Sequence, residues 1–199
     1  MKRFFLLALL LFSGCAQLPP LPPTPANQLE SWRLNGRLAI STQDDSWTAN
    51  VYWQQNGPAY QLRLNMPLGQ GALLLEGNDK EVVMRTANNE TFTAPDADAL
   101  VAKVLNVAIP VTNLHFWIRG IPTTKSAPGG YTLNEVGQLQ SLQQDGWEIV
   151  FQRYVNVHGI HLPKKIILEN NSFKVKIVIS QWNITKISKL PPKPLRVQR

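Results

Sequence analysis

Histidine and cysteine are the side chains of this 199-residue sequence best suited to metal binding or nucleophilic chemistry, and they are scarce. The histidines are His115, His158 and His161, and none has the His-Glu-x-x-His or Cys-x-x-Cys spacing of zinc sites. His158 and His161 could share a metal ion, but no third ligand is close to them in the sequence, so a polar loop surface is the simpler interpretation. We therefore predict no metal site.

Motifs for catalysis are also missing from the sequence. It contains no Gly-x-Ser-x-Gly nucleophile elbow, no phosphate-binding P-loop and no dinucleotide-binding glycine pattern. Asp44 and Asp45 are adjacent carboxylates, but they lie between two alternating runs, where a hairpin turn is a simpler interpretation than an acid–base pair. We predict that the protein is not an enzyme and needs no cofactor.

Cys15 is the only cysteine, so the chain cannot form an intramolecular disulfide. Before it stand Lys2-Arg3, an apolar run over residues 4–12 and the small pair Ser13-Gly14, the order typical of a secretory signal. The apolar run is shorter than the roughly 20 residues of a membrane-spanning helix. An exported lone cysteine is either a free thiol, part of an intermolecular disulfide, or a lipid attachment site.

Ser-Gly-Cys resembles the bacterial lipobox, although Phe12 stands where leucine is usual. The resemblance implies that residues 1–14 are removed and that Cys15 carries an N-acyl chain and an S-diacylglycerol. It also implies sorting to the outer membrane, because Ala16 stands where retention signals for the inner membrane place aspartate. We therefore favour lipidation over a free or intermolecularly paired thiol.

Proline divides the chain into a body and two flanking segments. Residues 15–27 hold five prolines, which block helix formation and predict a stiff tether of up to ~35 Å. Residues 28–185 suffice for one domain, and residues 186–199 form a basic tail that we predict to be disordered. Because the tail holds most of the excess charge of +7, the body is nearly neutral, which argues against nucleic-acid binding.

Apolar and polar residues alternate with the period of β-strands through most of the body. Six such runs come before residue 95 and at least four after residue 138, so we predict one large antiparallel sheet. The predicted runs before residue 95 are 32–41, 47–54, 60–65, 71–76, 81–85 and 91–93, and those after residue 138 lie around 139–142 and at 147–154, 164–169 and 173–182.

Between these groups the pattern changes to helical spacing. Asp96 is a plausible N-cap for a first helix, and a second is predicted from Val111 to Arg119, after Pro110 and before Gly120. A sheet of this length has to curl, so the sequence predicts a mainly β fold, an incomplete, unclosed antiparallel barrel with helices on its concave face. Whether the interior is packed or hollow stays open.

Three stretches resemble the outer-membrane lipoprotein receptor family LolB: Asn65-Met66-Pro67-Leu68-Gly69, residues 109–122 with Trp117-Ile118, and residues 162–182. The resemblance implies a hydrophobic cavity that binds acyl chains. It implies a monomer at the periplasmic face of the outer membrane that accepts lipoproteins from the soluble carrier LolA and releases them into outer-membrane phospholipid. It also implies that Leu68 is an exposed loop residue that serves delivery into the membrane. The residues alone leave open that Leu68 folds back onto the core or is one of the scattered apolar residues of the surface.

Inward-facing residues of the predicted strands and second helix are expected to line the cavity: Trp53, Leu64, Leu73, Leu75, Trp117, Ile118, Phe151 and Ile177. A register error of one residue would exchange this set for the opposite face. The alternative is a lipoprotein with a solidly packed barrel that acts as a structural or envelope-assembly factor through its rim.

Overall fold

A computed structural model describes residues 18, 21–22, 24–67 and 71–184 of the chain. After a short 3-10 helix, Pro25–Gln28, the described part contains eleven strands and two α-helices. These are β1 (Ser31–Ser41), β2 (Ser46–Asn56), β3 (Ala59–Asn65), β4 (Ala72–Gly77), β5 (Val82–Thr86), β6 (Thr91–Ala94), α1 (Ala97–Leu105), α2 (Val111–Trp117), β7 (Gly130–Leu133), β8 (Leu139–Gln144), β9 (Trp147–Val157), β10 (Ile160–Glu169) and β11 (Lys174–Ile184).

All eleven strands belong to one antiparallel sheet, in the order β6-β5-β4-β3-β2-β1-β11-β10-β9-β8-β7. The first and last long strands, β1 and β11, therefore pair at its centre, while β6 and β7 are unpaired edges that leave the sheet unclosed. The two helices come between β6 and β7 in the chain and pack on the apolar face. The predicted fold class, mainly β with an unclosed antiparallel sheet and two helices, is confirmed.

Strand β1 shows how the alternation forms the core. Trp32, Leu34, Leu38 and Ile40 are buried, whereas the arginines between them are exposed. A Cβ added at Gly36 would lie 2.5 Å from the backbone oxygen of Val178, so only glycine allows β1 and β11 to approach this closely.

Local signals place both helices. The Asp96 side chain accepts a 2.7 Å hydrogen bond from the Ala99 amide, which confirms the predicted N-cap of α1. Helix α2 begins after Pro110 as predicted but ends at Trp117, two residues earlier than expected. The chain continues through a turn to Gly120, whose φ of +74° suits glycine.

Strand β10 begins at Ile160, four residues before the predicted start at Lys164. Pro163 was expected to precede the strand because it lacks an amide hydrogen. It lies inside β10 because the register with β9 shifts between Pro163 and Lys165, a bulge that tolerates the missing donor. The turn predicted at Asp44-Asp45 is confirmed, since the Thr42 amide donates to the Asp45 oxygen at 2.8 Å.

The signal segment 1–14, Cys15, most of the tether, Leu68 and the tail 186–199 lie outside the described residues. Within the described ranges, no helix is long and apolar enough to cross a bilayer. Because every described strand and helix lies within residues 24–184 and shares one core, we expect this segment to fold without the lipid anchor.

Candidate lipid-binding site

An apolar cavity lies between the sheet and the helices. Strands β1 to β4 and β11 supply one wall, and α1, α2 and the segment between them supply the other. Every lining residue is apolar: Leu34, Leu38, Ile40, Trp47, Val51, Trp53, Leu62, Leu64, Leu73, Leu75, Val101, Leu105, Val107, Ile109, Val111, Leu114, Ile118, Val175 and Ile177. Such a surface offers a ligand dispersion and desolvation but no hydrogen bond.

Three of the lining residues are half-buried, and the other sixteen are buried. We call Trp47, Leu105 and Ile109 the mouth residues, because they are where the cavity wall meets solvent. Trp47 is at the start of β2, Leu105 ends α1, and Ile109 is in the connection to α2.

The cavity is small, with a volume of about 60 Å³. This is room for only a few water molecules, so a long acyl chain does not fit without rearrangement. The two helices are joined to each other, because Asp98 accepts hydrogen bonds from the Thr112 amide at 3.0 Å and hydroxyl at 2.6 Å.

Six of the eight predicted cavity residues line this space: Trp53, Leu64, Leu73, Leu75, Ile118 and Ile177. Trp117 and Phe151 are buried elsewhere in the core. The Trp117 indole donates to Gln144 Oε1 at 2.9 Å, on the side of α2 turned away from the cavity. Phe151 is on β9, where it pairs with Ile166 of β10. On that side of the sheet the lining of the cavity ends at β11, two strands before β9.

The inner face of β1 and the connection between the helices were missed in the prediction of the lining. Leu34, Leu38 and Ile40 show the same alternation as the residues that were chosen, so that signal was present in the sequence. Val107 and Ile109 lie outside any strand or helix, where no periodic pattern marks a buried face. Leu68 and Cys15 lie outside the described residues.

A second cleft of about 290 Å³ adjoins the apolar cavity and shares Trp53 and Val111 with it. Its lining is largely apolar but includes several polar side chains, for which we call it the polar cleft. Its central polar group is the buried Gln55, whose Oε1 accepts from Trp53 Nε1 at 3.3 Å and contacts His115 Nδ1 at 3.2 Å. Gln55 Nε2 donates to the Gly57 oxygen at 2.8 Å. The remaining lining residues are Pro58, Tyr60, Asn78, Asp79, Thr112, Phe116 and Lys125.

Burial and, to a smaller extent, the nearby Arg119 guanidinium lower the pKa of His115 to about 4. The imidazole is therefore neutral at neutral pH. Since Gln55 Oε1 can only accept, Nδ1 carries the hydrogen, and Nε2 is left as an acceptor with no hydrogen-bond partner among the described residues.

We expect acid to destabilise the domain through His115. In the unfolded chain this histidine titrates near 6.5, whereas in the folded protein it titrates near 4. Between these values the unfolded state binds more protons, so stability falls as the pH is lowered from 6.5 to about 4. Urea unfolding at several pH values should show a shallower fall for His115→Gln than for wild type; equal slopes would contradict the assignment. His161→Gln, an exposed site, is the control.

Arg119 is a buried cation that is only 4% exposed. Its Nε donates to the His115 oxygen at 3.1 Å, and one terminal nitrogen donates to the Ala26 and Leu29 oxygens at 3.2 and 3.1 Å. Burial lowers its pKa to about 10, so it stays charged at neutral pH. Among the described residues it has no carboxylate partner, so three carbonyl oxygens and the Phe116 ring, at 5.5 Å, stabilise its charge.

The remaining histidines have ordinary surroundings. His161 lies in β10, with Nδ1 2.6 Å from Gln138 Nε2 and Nε2 3.2 Å from Asn156 Nδ2. His158 is in the turn before it, with a φ of +51°. In the part of the chain that the structure describes, no three His, Cys, Asp or Glu side chains converge as metal ligands.

Comparison with known proteins identifies the family. The family model for the outer membrane lipoprotein LolB matches residues 30–182. The outer-membrane lipoprotein LolB of Ectopseudomonas mendocina is 36% identical over 156 residues, 78% of this chain and 76% of the relative. That of Nitrosococcus oceani is 31% identical over 193 residues, 90% of this chain and 95% of the relative.

Solved structures with little sequence identity share the fold. A LolA superfamily protein from Nitrosomonas europaea has a TM-score of 0.52 at 10% identity, covering 82% of this chain and 88% of that protein. A putative outer membrane lipoprotein-sorting protein domain from Vibrio parahaemolyticus has a TM-score of 0.51 at 10% identity, covering 80% and 87%. These structures thus share the unclosed sheet with its helical cover, and the chain belongs to the outer membrane lipoprotein LolB family.

Proposed function

We propose that this protein is a lipid-anchored receptor at the periplasmic face of the outer membrane. It accepts lipoproteins from the carrier LolA through their acyl chains and inserts them into the membrane. The observation that carries the proposal is the cavity, whose nineteen lining residues are all apolar and which is covered by two short helices. Family membership supports the same role and does not favour the packed-core assembly factor.

The energetics of acyl chains require a sheltered route. At ~0.8 kcal/mol per buried CH₂, exposing three long chains to water costs on the order of 30 kcal/mol. A carrier therefore has to keep them covered throughout the transfer. No nucleotide-binding motif is present in the sequence, so we propose that transfer runs downhill, from LolA to this protein and then to the bilayer.

The small volume of the cavity suggests how a chain is admitted. We propose that α1 and α2 move away from the sheet as one unit, held together by Asp98 and Thr112, and that the incoming chains fill the space between. In the empty protein the helical residues cover the apolar wall of the sheet. Closure thus keeps this surface from water until cargo arrives.

We expect Leu68 to be needed for delivery of the lipoprotein to the membrane but not for its acceptance from LolA. Leu68 follows Pro67 in the sequence, between the ends of β3 and β4, and the family resemblance implies that it is exposed and enters lipid. Leu68→Glu should therefore bind cargo normally but release it poorly, because a carboxylate is costly in the hydrocarbon region. Leu68→Ile, which stays apolar, is the matched control.

The test is a two-step transfer with residues 24–199 of this protein. LolA carrying a fluorescent lipoprotein is mixed with the domain and then with liposomes, and label is measured on each component. Wild type and Leu68→Ile should move the label into liposomes, and Leu68→Glu should accumulate it on the domain, with at least about a tenfold slower release. If liposomes gain label equally fast with no domain present, the proposed function is wrong.

A further inference from the structure

The polar cleft beside the apolar cavity has polar groups that acyl-chain binding in the cavity does not require, so we consider it as a second binding site. Trp53 separates the two spaces: its ring lines the cavity, while its indole N–H donates to Gln55 in the cleft. Val111 also lines both, and His115 lies one helical turn after it on the same face of α2. The two spaces therefore adjoin, with the apolar cavity on one side of Trp53 and the cleft on the other.

The cleft offers unpaired hydrogen-bonding groups of both kinds. His115 Nε2 is a bare acceptor, and Gln55 Nε2 has one N–H left after its bond to the Gly57 oxygen. Gln55 is only 5% exposed, so water has little access to it. His115 itself is half-buried, but the Tyr60 hydroxyl, which also lines the cleft, is buried without a hydrogen-bond partner among the described residues. Together these groups favour a ligand that supplies both an N–H donor and carbonyl acceptors.

The charges of the cleft select among polar ligands. Lys125 and Asp79 both line it, and neither forms an ion pair among the described residues. Their formal charges cancel, so the site is suited to a dipolar but uncharged group. A phosphate head group would meet the Asp79 carboxylate as well as the lysine, and gains little net attraction.

We infer that this polar cleft binds the ester and amide linkage of a triacylated cysteine, while the acyl chains of the same residue occupy the adjoining apolar cavity. The inference rests on the proposed function, which supplies a lipoprotein as ligand. With α1 and α2 moved away from the sheet to admit the chains, the linkage lies between helix and sheet: its amide N–H donates to His115 Nε2 on α2, and its carbonyl oxygens accept from Gln55 Nε2 on β2 and from Lys125 Nζ. The receptor thereby distinguishes a lipidated cysteine from a phospholipid with similar chains.

Two substitutions test the cleft without touching the lining of the apolar cavity. His115→Phe keeps a ring but removes the acceptor, and Lys125→Met keeps the length of an exposed side chain but removes its donor. Matched controls are His161→Phe on β10 and Lys103→Met on α1, both exposed and absent from the cleft. Lys125→Met keeps the test valid if His115→Phe folds poorly, because its side chain is on the surface.

Binding of a synthetic triacylated cysteinyl peptide and of a pyrene-labelled long-chain alkane is measured on residues 24–199 of each variant. His115→Phe should weaken peptide binding about three- to tenfold and Lys125→Met about threefold, the typical effect of one hydrogen bond. Alkane binding should not change, and both controls should match wild type.

Three results would overturn the inference. Wild-type affinity for the peptide in both cleft variants would show that the linkage lies elsewhere, and leaves the receptor function standing. Equal weakening of peptide and alkane would show that His115 only packs the helical cover. Competition by phosphatidylglycerol as strong as that by the peptide would show no selection for the linkage. If wild type binds neither probe, the proposed function itself fails.

Discussion

Ile109→Glu is expected to reduce the affinity of this protein for acyl chains roughly thirtyfold, by about 2 kcal/mol. Ile109 is a mouth residue, half-buried at the edge of a cavity with no polar lining group. A carboxylate stays hydrated there in the empty protein, so the domain still folds. Once chains enter, it loses water without gaining a partner. The measurement is a titration with the pyrene-labelled alkane.

The matched control for Ile109→Glu is Val136→Glu. Val136 is 73% exposed in the turn before β8 and does not line the cavity, so the same kind of substitution adds the same charge without facing the ligand. The control should bind like wild type and unfold within about 0.5 kcal/mol of it. Ile109→Glu should lose about 1 kcal/mol of stability, because Ile109 packs against the core. Unchanged binding by Ile109→Glu would mean that chains do not pass the mouth residues.

Arg119→Met is expected to lower the free energy of unfolding by about 2–3 kcal/mol, and the melting temperature by roughly 5–10 °C. The substitution keeps a long side chain but removes all three hydrogen bonds to backbone oxygens. The Ala26 and Leu29 oxygens then lose this donor in the interior. The loss is limited by relief of the cost of burying the charge itself. Urea and thermal unfolding measure both quantities.

Two further variants separate the geometry of Arg119 from its charge. Arg119→Lys keeps the charge but not the planar fork that reaches His115 on one side and the 3-10 helix on the other, so it should recover less than half of the loss. Arg37→Met, at an exposed arginine of β1, should change stability by no more than about 0.5 kcal/mol. A fully stable Arg119→Met would show that these bonds contribute no net stability.

Local patterns in the sequence predict well where most strands and helices occur along the chain. Strands such as β1 are predictable because one face is buried and the other faces solvent, so apolar and polar residues alternate along the strand. The start of helix α1 is predictable because Asp96 has an extended backbone conformation and its side chain caps the helix that follows. Strand β10 was predicted too short because the bulge that accommodates Pro163 depends on its partner strand, which no local pattern reports.

The binding site was only partly predictable, for geometric reasons. Trp117 and Ile118 are adjacent and both apolar, but successive residues at the end of a helix point about 100° apart, and only Ile118 faces the cavity. Arg119 reaches oxygens that are 90 and 93 residues away in sequence, a contact without any local signal. The volume of the cavity depends on how all the side chains fit together, and alternation cannot report it.

The most direct test of the central claim is transfer from LolA at equilibrium. Residues 24–199 are mixed in excess with LolA that carries a labelled lipoprotein, in the absence of membranes, and the two proteins are then separated. The label should be found mainly on this protein, and should stay on LolA when Ile109→Glu replaces wild type. Label that remains on LolA beside folded wild-type protein would contradict the receptor account, and the packed-core assembly factor would then become the better explanation.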